Sequence, residues 1–211
     1  SLHDALPIWF FSEVLKQNPQ WVEAYINRGQ GQLLLGKADA ALADFTRALE
    51  LNHEAYEAYY NRGRTYSRLG QPDKALEDYN AALKLRADDW QAYYNRGNAY
   101  LDLGKYEEAL KDFDQALGLQ PEGPEILHNR GLARLELGQA DAAVEDFNRV
   151  LALDPAFARA LYNRARAWEK LGRPEEAKRD YRRFLQSGDP QADKFLLEKT
   201  LQRLEQMEGK G

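Results

Sequence analysis

The sequence is periodic, and the period limits the folds open to it more than any other property. The tripeptide Asn-Arg-Gly begins at Asn27, Asn61, Asn95 and Asn129, with Asn163-Arg164-Ala165 one step further, so each step is 34 residues long. Leu35, Leu69, Leu103, Leu137 and Leu171 each precede a glycine at the same interval. Ala41, Ala75, Ala109, Ala143 and Ala177 repeat likewise, with an aromatic ring four positions beyond each, at Phe45, Tyr79, Phe113, Phe147 and Tyr181. No insertion breaks the register. A short unit of this kind cannot bury its apolar face alone and has to stack on its neighbours.

Each unit holds two amphipathic stretches of about 14 residues divided by the Leu-Gly stop, and glycine just past a helix end supplies a left-handed cap. The unit therefore reads as a helical hairpin. Pro72 and Pro174 follow the stop by two residues, where proline suits a first helical turn, and Asp73, Glu107, Asp141 and Glu175 suit the positive end of the helix that starts there. Gly29 and Ala41, with their equivalents, let the two helices of a hairpin approach closely, while Ala48, Ala82 and Ala116 do so between hairpins.

With Val22 as position 1, this pattern resembles the tetratricopeptide repeat (TPR): an aromatic or Leu at position 4, small 8, aromatic 11, Ala 20, aromatic 24, small 27 and Pro 32. The resemblance implies an all-α fold, a right-handed α-α superhelix (TPR solenoid) of antiparallel helical hairpins, with units at 22–55, 56–89, 90–123, 124–157 and 158–187. His53 and Ala87 replace the linker proline that Pro121 and Pro155 keep, Gln32 and Arg134 replace the aromatic at position 11, and Val150 and Phe184 enlarge a small site.

Counting back from His53 by one period reaches Pro19, so 9–21 reads as the second helix of a repeat whose first helix is missing. Ser1 to Ile8 breaks the pattern, with Pro7 where Ala is expected, and is set aside as non-native or disordered. After Asp189-Pro190, the spacing of Phe195, Leu197, Leu201, Leu204 and Met207 predicts a capping helix within 189–208, which a repeat array needs to cover its last apolar face. No signal fixes a compartment, and the cytoplasm is the default expectation.

Composition removes several function classes. The longest apolar run, Ala5 to Phe11, is far shorter than the roughly 20 residues of a membrane span. Without cysteine there is no disulfide, thiolate metal site or thiol nucleophile. A net charge of −5 argues against a nucleic-acid partner. His3, His53 and His128 have no ligand or nucleophile at motif spacing, and no phosphate-binding glycine loop occurs, so no catalytic residue, metal or cofactor is expected.

At 100° per residue, positions 2, 6, 9 and 13 of the first helix lie opposite its apolar arc. In the family this chain resembles, that face takes peptide partners. Positions 9 and 13 have diverged between units, whereas position 6 is Asn throughout: Asn27, Asn61, Asn95, Asn129 and Asn163. Asn is a poor helix former, so this ladder is expected either to bond the backbone of an extended peptide, to bond a neighbouring helix, or to be inherited unchanged. Tyr60, Arg64, Tyr94, Asn98, His128, Tyr162 and Arg166 flank it as candidate specificity groups. Asn98, Asn129 and Arg159 offer half of the frame with which a TPR subfamily grips chaperone tails, Tyr94 and Asn163 standing where basic side chains would be needed.

Position 7 is always Arg and position 23 always Asp, which predicts five structural ion pairs: Arg28 with Asp44, Arg62 with Asp78, Arg96 with Asp112, Arg130 with Asp146 and Arg164 with Asp180. From Ala158 to Gln186 nine basic and four acidic residues give +5, a solvated face or a dock for an acidic partner segment near the fifth repeat. The function expected is a non-enzymatic interaction scaffold holding an extended peptide or partner helix, the alternative being a targeting domain of a larger, glycosyltransferase-like enzyme.

Overall fold

In the computed structural model, residues 8–187 and 194–209 are described, and these residues form twelve helices and no strand. The chain divides after Gly104 into two units. The first carries α1 (Ile8–Gln17), α2 (Val22–Leu34), α3 (Ala38–Leu51), α4 (Tyr56–Arg68), α5 (Pro72–Leu85) and α6 (Trp90–Asp102). The second carries α7 (Tyr106–Leu119), α8 (Pro124–Glu136), α9 (Ala140–Leu153), α10 (Ala158–Lys170), α11 (Pro174–Gln186) and α12 (Lys194–Glu208). The all-α helical repeat expected from the period is what forms.

The Leu-Gly stops act as backbone switches. Gly36, Gly70, Gly138 and Gly172 all have φ between 66° and 77°, the left-handed region in which glycine carries no Cβ penalty. At the end of α2 the Lys37 amide donates to Gln32 O at 2.9 Å and Gly36 to Leu33 O at 3.0 Å, the paired bonds of a Schellman cap. Chain direction then reverses into α3 with the last carbonyls satisfied.

Packing inside the hairpins that carry glycine at position 8 rests on the absence of a side chain opposite a ring. A Cβ on Gly29 would lie 2.7 Å from Phe45, and one on Gly131 would lie 2.8 Å from Phe147. Both rings are fully buried, as are Ala41, Ala48, Ala75 and Ala82. The enlarged residues are absorbed: Val150 is fully buried, and Phe184 joins Tyr162, Tyr181 and Leu204 in the core under α12.

The two departures at position 11 resolve differently. Arg134 donates to Asp146 Oδ2 at 2.9 Å and to Ala142 O at 3.3 Å, so a polar anchor on α9 replaces ring packing. Gln32 leaves its buried Oε1 without a hydrogen bond among the described residues.

One boundary changes. Ile8, set aside with the seven residues before it, is the first residue of α1, and its side chain lies 3.0 Å from where a Cβ on Gly31 would stand. It contributes apolar contact to α2, so α1 starts one residue earlier than the expected 9–21 segment. Residues 1–7 lie outside the described residues. The capping helix is α12, Lys194–Glu208; the first part of the expected 189–208 span lies outside them as well.

Four of the expected ion pairs form within a unit, each as a bidentate fork. Arg28 reaches Asp44 at 2.8 and 2.6 Å, Arg62 reaches Asp78 at 2.8 and 2.7 Å, Arg130 reaches Asp146 at 3.0 and 2.6 Å, and Arg164 reaches Asp180 at 2.7 and 2.7 Å. Arg96 and Asp112 belong to different units. A third contact comes from Nη1, which donates to the residue 16 positions earlier: Thr46 for Arg62 at 3.1 Å, Asn80 for Arg96 at 2.7 Å, Asp114 for Arg130 at 2.7 Å and Asn148 for Arg164 at 2.6 Å. Arg62, Arg130 and Arg164 each therefore tie three helices, their own, the next one, and the second helix of the preceding repeat.

Candidate functional site

The asparagine ladder stands on the first helix of each repeat, with its rungs at different depths. Asn27 is exposed, Asn95 and Asn129 are half-buried, and Asn61 and Asn163 are buried. Asn95 Nδ2 donates to the Tyr60 hydroxyl at 3.0 Å, and Asn163 Nδ2 meets His128 Nε2 at 3.1 Å. In both cases position 6 of one repeat bonds position 5 of the repeat before it. The residue in that relation to Asn61 is Ile26, which has no acceptor, and Asn61 turns to its own helix, donating to Glu57 O at 2.8 Å.

His128 and Tyr162, expected to flank the groove as specificity groups, are instead packed inside. His128 is 5% exposed, between Phe147 and Phe157, with Nδ1 3.0 Å from Asn129 Oδ1. Accepting at Nε2 from Asn163 leaves the proton on Nδ1, where it donates to Asn129. Burial lowers the pKa of this imidazole to about 4, a neighbouring Arg159 charge adding to the effect against the bond to Asn129. Tyr162 lies against Tyr181 and Phe184, with ring centroids 5.7 and 5.5 Å away. Position 5 faces the second helix of its own repeat, Tyr60 meeting Tyr79, His128 meeting Phe147 and Tyr162 meeting Tyr181, so a ring there serves packing.

Arg64, Asn98 and Arg166 are partly accessible. The Arg64 guanidinium lies 5.7 Å from the centre of the Tyr60 ring. Arg166 is held by Glu136 Oε1 at 2.9 Å and Asn163 Oδ1 at 3.1 Å. Tyr94 is half-buried.

Replacing Asn95 by Ala should cost about 0.5 to 1.5 kcal/mol of stability through the lost bond to Tyr60, offset in part by the better helix propensity of Ala. Denaturant midpoints of Asn95→Ala, Tyr60→Phe and the pair would reveal this as coupling. Additive losses would mean that the bond carries no weight.

Much of the positive charge on the fifth repeat is already matched. Arg164 pairs with Asp180, Arg166 with Glu136, Arg173 with Glu176, Lys178 with Glu175 and Arg182 with Glu208. Lys170 donates to Leu135 O at 2.9 Å. Arg159, Arg179 and Arg183 have no carboxylate partner among the described residues. Those residues contain no group of three or more His, Cys, Asp or Glu that could hold a metal, and no helix long and apolar enough to cross a membrane.

The tetratricopeptide repeat model matches residues 26–66, 60–124 and 128–195, nearly the whole periodic stretch. The chain belongs to the tetratricopeptide repeat family. Among solved structures it is similar to YrrB, a TPR protein, at 24% identity and a TM-score of 0.79 over 91% of this chain and 97% of that one. TTC0263, a TPR protein of Thermus thermophilus, is 27% identical with a TM-score of 0.64 over 87% and 99% of the two chains. MamA, at 24% identity and a TM-score of 0.73, covers 76% of this chain and 94% of its own. No curated protein matches the sequence.

Two features of this TPR chain were open to sequence reasoning and not drawn from it. Ser12, Thr46, Asn80, Asp114 and Asn148 are all hydrogen-bond acceptors spaced at the repeat length, and each receives the Nη1 donor of the arginine 16 residues on. The link from position 6 back to position 5 is carried by Tyr60 with Asn95 and by His128 with Asn163.

Proposed function

We propose that this TPR chain is a non-enzymatic interaction module that holds an extended peptide along the first-helix face of its repeats. The observation that carries the reading is a contrast within one face. In the first unit Asn27, Gln30, Arg68 and Gln91 are exposed and Arg64, Asn95 and Asn98 partly so, while the frame behind them repeats almost unchanged. A fixed frame under a varied face suits recognition of a chain partner. YrrB, which shares the fold, is described as a TPR protein with an unusual peptide-binding site.

The internal bonds revise how the ladder would work. The amide donors of Asn61 and Asn95 are committed to Glu57 O and the Tyr60 hydroxyl, which leaves their side-chain oxygens for the N–H groups of a peptide backbone. Backbone bonding gives register without strong sequence choice. An acidic partner segment on the fifth repeat would find Arg159, Arg179 and Arg183.

The test is a peptide array probed with wild-type protein and with the Asn27→Ala, Asn61→Ala, Asn95→Ala triple variant, all three rungs lying in the first unit. Affinity for the best peptides should fall by about 2 to 4 kcal/mol, a loss of 30-fold or more, in a protein that remains folded. A folded triple variant binding as well as wild type would remove the ladder from the binding role.

A further inference from the structure

The charge of the groove is balanced unequally in the two units, and the imbalance has a local cause. In the second unit Arg166, at position 9 of its repeat, bonds Glu136, at position 13 of the repeat before, 30 residues earlier. The same relation in the first unit connects Arg64 to Leu34, which cannot accept a bond. Leu34 is 77% exposed, one of the most solvent-accessible large apolar side chains among the described residues. Arg64 is held over the Tyr60 ring, itself fixed by Asn95, and has no carboxylate partner among the described residues. Arg68, one turn further along α4, is exposed and equally without one. The nearby acids are elsewhere engaged or unbonded to them: Glu57 pairs with Arg86, Asp89 accepts from Tyr56 and caps α6, and Asp102 at the end of α6 makes no bond to Arg68.

We propose that Arg64 and Arg68 form the anion-binding rung of the first unit, taking the side-chain carboxylate of an extended partner segment whose adjacent aliphatic residue covers Leu34. This inference rests on the peptide-binding reading above and deepens it. Glu136 on Arg166 shows the chemistry within the same chain: a glutamate side chain reaching a position 9 guanidinium at 2.9 Å. In the first unit the carboxylate is left for a partner to supply, and the position it would occupy is bordered by an apolar surface. An acidic side chain followed by Leu, Ile or Val satisfies both at once, since a charge-assisted bond and a covered leucine each need the other's geometry.

The experiment selects binders of the full chain from a library of random peptides of about a dozen residues, displayed between two fixed domains so that no free C-terminus is present. Enriched peptides are then synthesised with both ends blocked, each beside a version in which the acidic residue is Gln or Asn. Selected sequences should place Asp or Glu next to an aliphatic residue, and neutralising that acid should weaken binding about tenfold or more. Arg64→Gln should weaken the acidic peptide equally and leave the neutral one unaffected. Leu34→Glu should do the same without loss of thermal stability, because it supplies Arg64 with an internal partner of the kind Arg166 has. Peptides that bind equally with or without the acid would overturn the anion rung while leaving the groove reading intact. Binding that requires a free C-terminal carboxylate would overturn the assignment to a side chain. Failure of wild type to select any peptide would remove both.

Discussion

Replacing Arg62 by Met is expected to cost about 3 to 5 kcal/mol, the loss seen when one member of a buried ion pair is left alone. The Arg62 side chain is 20% exposed and that of Asp78 is 4%, so the carboxylate cannot turn to water when its partner is lost. Burial is the largest influence on the Asp78 carboxyl and pushes its pKa up, with Arg62 pulling it back only in part. A pair whose desolvation nearly matches its attraction adds little net stability over an apolar pair of the same shape. Arg62→Met with Asp78→Leu should therefore recover most of the single loss. Denaturant midpoints of the four proteins measure the coupling directly. A double variant no more stable than the sum of the single changes predicts would show that the fork does not act as a unit. Thr46→Val, which removes only the third contact of Arg62, should cost about 1 kcal/mol by the same measurement.

Why this pair was visible in the sequence, and other contacts were not, follows from how each is encoded. An Arg at position 7 and an Asp at position 23 recur without exception, and helix geometry places position 7 on a packed flank, so charge compensation requires a partner on the adjoining helix. The hairpins, their glycine caps and the bulk of the core were legible for the same reason: five copies of one pattern reduce local ambiguity. Position 5 was harder to read. Its residues Ile26, Tyr60, Tyr94, His128 and Tyr162 mix aliphatic, aromatic and titratable types, and an aromatic beside a polar ladder is as suited to a groove as to a seam. Only the packing of each ring on the second helix of its own repeat shows that His128 and Tyr162 are covered.

The asparagine ladder illustrates how one repeated spacing can serve two purposes. The spacing left three readings open, a peptide backbone, a neighbouring helix or plain inheritance. Asn95 and Asn163 give the amide donor to the preceding repeat. The residue at position 5 then decides whether position 6 one repeat later finds a cross-repeat acceptor, a dependence between residues 35 apart that no single repeat reveals.

On the acid side, stability should depend on the buried imidazole of His128. Its folded pKa lies at about 4, below the ordinary value of 6.5, so the folded state favours the neutral ring. A histidine depressed in this way contributes stability that is fully present above pH 6.5 and is lost as pH falls from 6.5 toward 4. The total over that window is about 3 kcal/mol, at about 1.4 kcal/mol for each tenfold change in proton concentration. Geometry supplies the reason. A proton added at Nε2 would point at the Nδ2 donor of Asn163, between the rings of Phe147 and Phe157, with the charge of Arg159 adding repulsion. Carboxylates also titrate in this range, so the informative quantity is the difference between wild type and His128→Tyr, the residue found at position 5 in Tyr60, Tyr94 and Tyr162. A tyrosine hydroxyl there can accept from Asn163 as Tyr60 accepts from Asn95. Urea midpoints from pH 7.5 to 4.5 should show wild type losing stability faster than the variant, the gap opening below pH 6.5. Parallel curves for the two proteins would mean that His128 is protonated in the fold at ordinary cost, and that the buried neutral network is not what holds Asn129, His128 and Asn163 together.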